Sequence, residues 1–417
     1  MTESAAHTPR IALIGTLDTK GAEIAYVRDR LRALGTEPVV VDSGILGDPH
    51  GVEPDVTREQ VAEEAGRTLA AIRAAGSRGA AVELMEQGVR AVCLRLWLEG
   101  RLDGALCLGG AEGAILGAGA MQALPVGVPK VIVSPAASGQ RAFAPFVGES
   151  DVLVMHSVVD ILGLNPIARS VFDNAAAAVA GMALNAGHPV ENLGGRSVGI
   201  TMLGHTTPAV MRIRTVLEEA GHAPVVFHAN GVGGPAMEKL VSVGALDGVI
   251  DYTLSELANT LLGGLHATGP DRLRVAGDCG IPQIVVPGCV DFFNQGARAT
   301  VPPRYRQRKS YFHNPVATLV RLERDEMVEL GRLVAARLND ARGPVRVVAP
   351  TLGFSLADVE GGDLWDPEAD AAFLEALGAA LRPEIPFELV ETHVNDPAFA
   401  DRVAARYLSL FQEPAHA

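Results

Sequence analysis

Short apolar runs alternate along the chain with longer segments whose apolar residues return every third or fourth position. The run Ile11–Ile14 is followed by Ile24, Val27, Leu31 and Leu34, which fall on one stripe of a helix. The same alternation predicts strands at 38–44, 103–110 and 129–135, with helices at 57–76, 79–100, 110–124 and 169–187. Thr57 followed by Gln60 spells a capping box at the start of one of these helices. A second cycle opens with a strand and glycine-threonine turn at 196–208 and a helix at 209–221. It closes with strand 344–351, helix 366–381, strand 387–394 and helix 397–411. Strands separated by helices imply parallel sheet covered on both faces. The predicted fold class is α/β, with two Rossmann-like doubly wound domains of mainly parallel sheet.

The two cycles rhyme. Leu102-Asp103-Gly104, which opens a strand, recurs as Leu246-Asp247-Gly248, and "GVPKVIVSP" (127–135) recurs as "GIPQIVVPG" (280–288). The repeat reads as two domains of related design. The glycine- and proline-containing joint "NAGHPVENLGGRS" (185–197) separates them. Residues 1–190 are expected to form a nucleotide-binding domain and 191–417 a second domain on the substrate side of a cleft, the default place for an active site.

Composition narrows the function classes. A formal charge of -14 leaves no basic surplus to neutralise nucleic-acid phosphates, so no nucleic-acid partner is expected. The 4 cysteines show neither C-x-x-C pairing nor zinc spacing, as buried thiols of a reducing compartment would. No stretch reaches the ~18 uninterrupted apolar residues of a membrane span, and residues 1–10 lack a signal peptide's apolar core. A cytoplasmic protein without a membrane partner is the expectation. No metal-ligand spacing stands out, so no metal residues are assigned.

In an open parallel sheet, ligands sit beyond the carboxyl ends of the strands. "GTLDTKG" (15–21) meets that condition but is not a Walker A loop, because Lys20 precedes Gly21. Its expected use is a turn leading to a helix start that attracts an anion, with helix capping by Asp18 or Thr19 as the alternative. "DSG" (42–44), "GGAEGA" (109–114) and "SPAASGQ" (134–140) complete the first set. Within it Glu112 is either a first-turn residue favoured by the helix dipole or a carboxylate that needs a metal or a proton beside a phosphate.

The second half offers "GHTTP" (204–208), "FHANGVGG" (227–234), "TLSEL" (253–257), "PGCVDFFNQG" (287–296) and "YFHNP" (311–315). His205, His228 and His313, with Glu256 and Asp291, are candidate acid–base groups around a small anionic substrate. A structural histidine is the alternative for each. The glycines of "ANGVGG" suit a phosphate or carboxylate. Arg304, Arg306, Arg308, Lys309 and His313 form a basic stretch that is either an anion clamp or a solvated loop.

Taken in order, "GTLDTKG", the glycine loop before "ALPVGVPK", "ASG" (137–139), "SVVDILGLN" (157–165), "TTP" (206–208), "FHANGVGG", "HNP" (313–315) and "HVNDPAFAD" (393–401) carry a resemblance. They resemble the ATP-binding N-terminal region of the plant tomato mosaic virus resistance protein, a region shared by a widespread bacterial and fungal family. The resemblance implies two Rossmann-like subdomains, ATP in the first, and a homodimer. By matching motif it places cofactor contacts on Gly15, Thr16, Asp18, Thr19, Lys20 and Gly21, on Gly109, Gly110 and Gly113, and on Ser138 and Gly139. Where relatives resemble G-G-S-G-G-T this chain has "GGAEGA", and the carboxylate of Glu112 there points to weaker triphosphate binding or to Mg²⁺. The plant chain continues into a TIM-barrel domain, which implies a separate barrel partner protein for this one. Antiviral action is not carried over, because function lives in sites and not in folds.

The expected function is an ATP-binding enzyme of small-molecule catabolism, acting on a carboxylate or sugar acid in the cleft between domains. His228, Glu256, Asp291 and His313 are its candidate acid–base residues. The alternatives are a nucleotide-sensing binding protein without turnover, and an ATP-independent lyase, isomerase or hydrolase in which Glu112 is catalytic.

Overall fold

Runs of Val, Ile, Leu and Ala form the strands, and most are buried on both faces, as parallel strands covered by helices must be. The computed structural model describes residues 7–137, 144–185 and 196–410, and the chain divides into two units, Met1–Glu191 and Asn192–Ala417. Both are doubly wound, Rossmann-like α/β units with mainly parallel sheets. Among the described residues no helix is long and apolar enough to cross a membrane.

In the first unit, β1 (Arg10–Gly15), β2 (Glu37–Asp42), β3 (Gly104–Leu108), β4 (Lys130–Ser134) and β5 (Leu153–His156) form one parallel sheet in the order β2-β1-β3-β4-β5. Ile11, Leu13, Leu106 and Val131 face helices Leu17–Ala33 and Pro166–Asn185, meeting Ile24, Leu31, Phe172 and Val179. Ala12, Ile14, Ala105 and Ile132 face Arg78–Leu98 and Ala111–Ala123, meeting Met85, Val89, Leu116 and Met121. The strand order reverses between β1 and β3, which opens a crevice at their carboxyl ends.

Two local expectations are corrected. The segment 57–76 is two helices, Arg58–Glu64 and Leu69–Arg73, because Gly66 turns to φ 69° and Thr68 caps a new start. The Thr57/Gln60 capping box is present. After β1 the helix begins at Leu17, so Asp18, Thr19, Lys20 and Gly21 belong to its first turns and not to a preceding loop.

The second unit repeats the plan. β6 (Arg196–Met202), β7 (His222–His228), β8 (Gly248–Thr253) and β9 (Gln283–Gly288) come first in the chain. β10 (Phe292–Gln295), β11 (Ser310–Asn314) and β12 (Ala317–Arg321) follow, then β13 (Val345–Pro350) and β14 (Phe387–Val390). The large sheet is parallel, in the order β14-β13-β9-β8-β6-β7, and again reverses beside its first strand. The repeated Leu-Asp-Gly has one task in both units. Asp103 Oδ2 accepts the N–H of Arg10 at 2.7 Å and Asp247 Oδ2 that of Ser197 at 2.8 Å, so each aspartate closes the start of its unit's first strand.

Between β9 and β13 stands a separate antiparallel sheet, β10-β12-β11. The stretch 311–315, expected as a loop, lies mostly in β11. Phe293, Tyr305 and Val320 pack this insertion against Leu254 and Leu257 of the parent unit.

Candidate functional site

The crevice of the first unit is built by two helix starts. Thr16 precedes Leu17–Ala33 and Gly110 precedes Ala111–Ala123, and neither helix has a side-chain cap. The first N–H groups of a helix lack partners within it, and the macrodipole adds positive potential. One is spoken for, since Leu17 N donates to Asp42 Oδ1 at 3.1 Å. Asp42 ends β2 and is buried. Burial pushes its carboxyl above the usual range, against the pull of the Gly44 and Leu17 N–H groups.

A cavity of about 900 Å³ opens between these starts, lined by Thr16, Asp18, Thr19, Lys20 and Ser43 on one side and by Gly110, Glu112 and Gly113 on the other. Arg73 and Arg78 add cations; Ile45, Leu46, Val82 and Leu116 add an apolar wall. The Lys20 ammonium donates to the carbonyl of Ile161, a neutral partner that leaves its charge available to an anion. Thr16 and Thr19 hydroxyls lie 2.8 Å apart, and Asp18 accepts from the N–H of Gly47 at 3.0 Å. Glu112 has its counter-charge within the protein, because Arg78 donates to it with an N···O distance of 2.8 Å.

The glycines divide by what a Cβ would meet. At Gly109 it would strike the backbone of Gly113 at 2.3 Å, at Gly15 the Ile24 side chain at 2.5 Å, and at Gly21 the carbonyl oxygen of His50 at 1.7 Å. Those three are packing glycines, absent from the cavity lining. Gly110 and Gly113 face open space, so their missing side chains leave room in the crevice. Ser138 and Gly139 lie outside the described residues.

The second unit brings histidines together at the same end of its sheet. His205 follows β6 on the short turn Gly204–Thr206, whose Thr206 hydroxyl meets that of Thr253 at 2.8 Å. His228 ends β7, and His313 is on β11. With His266, Asn230, Asn294 and Asn314 they line a pocket of about 270 Å³. The His205 ring lies 5.3 Å from that of Phe292, 5.5 Å from Tyr311 and 5.8 Å from His313. Burial, then the charge of His313, pushes His205 down to about 4; burial, then the charge of His228, does the same to His266. Both rings are neutral at physiological pH. The Nδ1 atoms of both are buried without a hydrogen-bond partner among the described residues.

Two expected acid–base residues take structural places instead. Glu256 is fully buried beneath the glycine loop, its Oε1 accepting the N–H of Gly231 at 3.0 Å and of Gly234 at 3.1 Å, its Oε2 facing Arg272 Nε at 2.6 Å. Those N–H groups of "ANGVGG", expected to suit an external anion, hold a carboxylate of the chain itself. Asp291 is also fully buried and off the pocket, accepting from the Ser355 hydroxyl at 2.8 Å. The basic stretch 304–313 is largely paired within the protein. Arg308 binds Glu326 at 2.7 Å, Lys309 binds Asp366 at 3.2 Å, and Arg304 stacks over the Tyr305 ring.

Sequence reasoning passed over Arg73, Arg78, His266 and Asn259. Asn259 is buried, and its Oδ1 accepts the N–H of Asn294 at 2.8 Å and of His266 at 3.2 Å, which sets two walls of the histidine pocket. The one available signal was "GGLH" (263–266), a glycine pair beside a histidine, but it follows no strand. Among the described residues no group of three or more His, Cys, Asp or Glu is arranged to hold a metal ion.

Residues 9–188 match the N-terminal domain, and residues 196–411 the C-terminal domain, described as "Uncharacterised protein family (UPF0261)". A UPF0261 protein of Clostridium tetani is 36% identical over 406 residues, covering 97% of this chain and 99% of its own. The ToMV resistance protein Tm-1(GCR237) of Solanum lycopersicum is 32% identical over 442 residues, spanning 100% of this chain and 58% of that protein. Among solved structures, the UDP-GlcNAc 2-epimerase of Methanocaldococcus jannaschii aligns at 10% identity over 66% of this chain and 83% of that one, with a TM-score of 0.21.

Proposed function

The chain belongs to the UPF0261 family, and from the crevice of its first unit we propose that it binds a nucleoside triphosphate, ATP, in the service of turning over a small anionic substrate. The observation that carries this reading is the convergence of two helix starts without side-chain caps on one cavity that also holds Lys20. Backbone N–H groups and dipoles favour phosphate there. Lys20 adds a point charge, and the open space at Gly110 and Gly113 lets phosphate oxygens approach the backbone. Ile45, Leu46, Val82 and Leu116 give a base an apolar surface within the same cavity.

Arg78 answers the objection that Glu112 repels phosphate. Its guanidinium neutralises the carboxylate, so Mg²⁺ is needed only by the triphosphate itself. In the second unit His228 and His313, both exposed on the histidine pocket, are the acid–base candidates for the substrate.

Calorimetric titration of the full chain with ATP, with and without Mg²⁺, tests the reading, and a phosphate-release assay on the same sample follows. Binding is expected, weakened about tenfold by Lys20→Ala, the scale of one lost charge-assisted phosphate contact. No heat under either condition would overturn it. Binding without phosphate release, in the presence of candidate acids, would keep the site and remove the turnover.

A further inference from the structure

Resting on the reading that the histidine pocket of the second unit is a substrate site, we infer that it takes a small hydroxycarboxylate without a phosphate group. The lining side chains are imidazoles, carboxamides and a few aliphatic groups, with no lysine, arginine, aspartate or glutamate among them. A phosphate dianion would find no fixed counter-charge there. Imidazoles and carboxamides both donate and accept hydrogen bonds, which matches hydroxyl groups, since these do the same.

The arrangement also gives the ligand a direction. His205, buried, and His266, half-buried, form the less exposed part of the wall, and burial lowers the pKa of both to about 4. His205 is only 6% exposed, and a neutral imidazole both donates and accepts hydrogen bonds. Hydroxyl groups belong on that side. His228 and His313 are exposed and reach the same pocket, so their ring N–H groups can donate to a carboxylate, an ionised acceptor that strengthens such bonds. The volume of about 270 Å³ suits a molecule of monosaccharide size.

Asn259 shows that the site is built rather than incidental. One buried amide oxygen holds the backbone N–H groups of both Asn294 and His266, which fixes two separate walls in register.

The test is calorimetric titration of the full chain, without nucleotide, with gluconate, glycerate and lactate. Sorbitol and phosphogluconate serve as comparisons. Gluconate or glycerate is expected to bind. Sorbitol and phosphogluconate should each be weaker by about tenfold or more. His228→Gln and His313→Gln, both at exposed positions, should lower acid affinity by about tenfold while leaving ATP binding unchanged. No binding of any of the three acids, with ATP still bound, overturns the inference and leaves the nucleotide reading standing. Equal affinity for sorbitol, or tighter binding of phosphogluconate, also overturns it. Acids bound by a chain that ignores ATP would overturn the nucleotide reading alone.

Discussion

Arg78 holds the carboxylate of Glu112 across the rim of the first unit's crevice, although the two side chains stand on different helices and both are well exposed. The pair contributes little to folding, as exposed ion pairs generally do. Its effect is on the ligand, because it sets the charge that a phosphate meets. Glu112→Gln should tighten ATP binding by a few-fold, and Arg78→Ala, which leaves the carboxylate bare, should weaken it by about tenfold. Melting temperatures of both variants should stay close to that of the parent. Weaker binding by Glu112→Gln, measured by calorimetry, would show that Glu112 contacts the ligand side as a metal ligand or base.

One glycine from each unit separates packing from binding. Gly113 lies in the first turn of a helix with nothing near the place of a Cβ. Alanine there should raise stability by about 0.5–1 kcal/mol through its higher helix propensity, and should weaken ATP binding by filling the crevice. Gly234 behaves oppositely. Its Cβ would lie 2.0 Å from Glu256 Oε2 and 2.1 Å from Arg272 Nε, inside a buried ion network. Gly234→Ala should cost on the order of 3–5 kcal/mol, the scale of a broken buried salt bridge. Thermal unfolding of the two variants checks both signs.

What the chain made legible follows from where the partners lie. Strands buried on both faces and helices with one apolar stripe carry their own pattern, so β1, β2, β3, β4 and β13 were readable within a residue or two. The Leu-Asp-Gly rhyme was visible because Asp103 and Asp247 do equivalent work. The antiparallel insertion was not, since β11 is short and follows the charged run Arg304–Lys309. The fates of Glu256 and Asp291 were also hidden. Arg272, Ser355 and Arg321, which decide them, are brought close only by the fold.

Asn259 offers a test of how the histidine pocket is held. Its Oδ1 receives two backbone N–H groups while its Nδ2 donates to the Ser255 carbonyl at 2.8 Å. Asn259→Leu would leave buried donors unpaired, at about 1–3 kcal/mol for each. The melting temperature should fall clearly. Proton chemical shifts of the pocket histidines should move with it, whereas those of His7 in the first unit should not. A variant that melts lower with unmoved pocket shifts would limit Asn259 to stability.

The last prediction concerns three buried carboxyls around one arginine. Asp291, Asp358 and Asp370 surround Arg321, which pairs with Asp370 at 2.5 Å and stands 4.0 Å from Asp291. Burial, then the charge of Asp358, raises Asp291 to about 7; burial outweighs the pull of Arg321 and raises Asp370 to about 8. For an acid whose folded pKa lies above its unfolded value, the stability contribution is complete below the unfolded pKa and is lost as pH rises through the folded one. The loss runs from the ordinary 3.8 to about 8. Glu238, raised to about 7, acts in the same direction. His205 and His266 act oppositely, since their folded values near 4 make stability fall as pH drops below the ordinary 6.5. Above 6.5 the carboxyls therefore dominate among these groups, and the melting temperature should decline between about pH 6.5 and about pH 8. Asp291→Asn keeps an acceptor for Ser355 but cannot ionise, so its decline should be shallower than that of the parent. An equally steep decline, measured calorimetrically across the same range, would remove Asp291 from the titrating set.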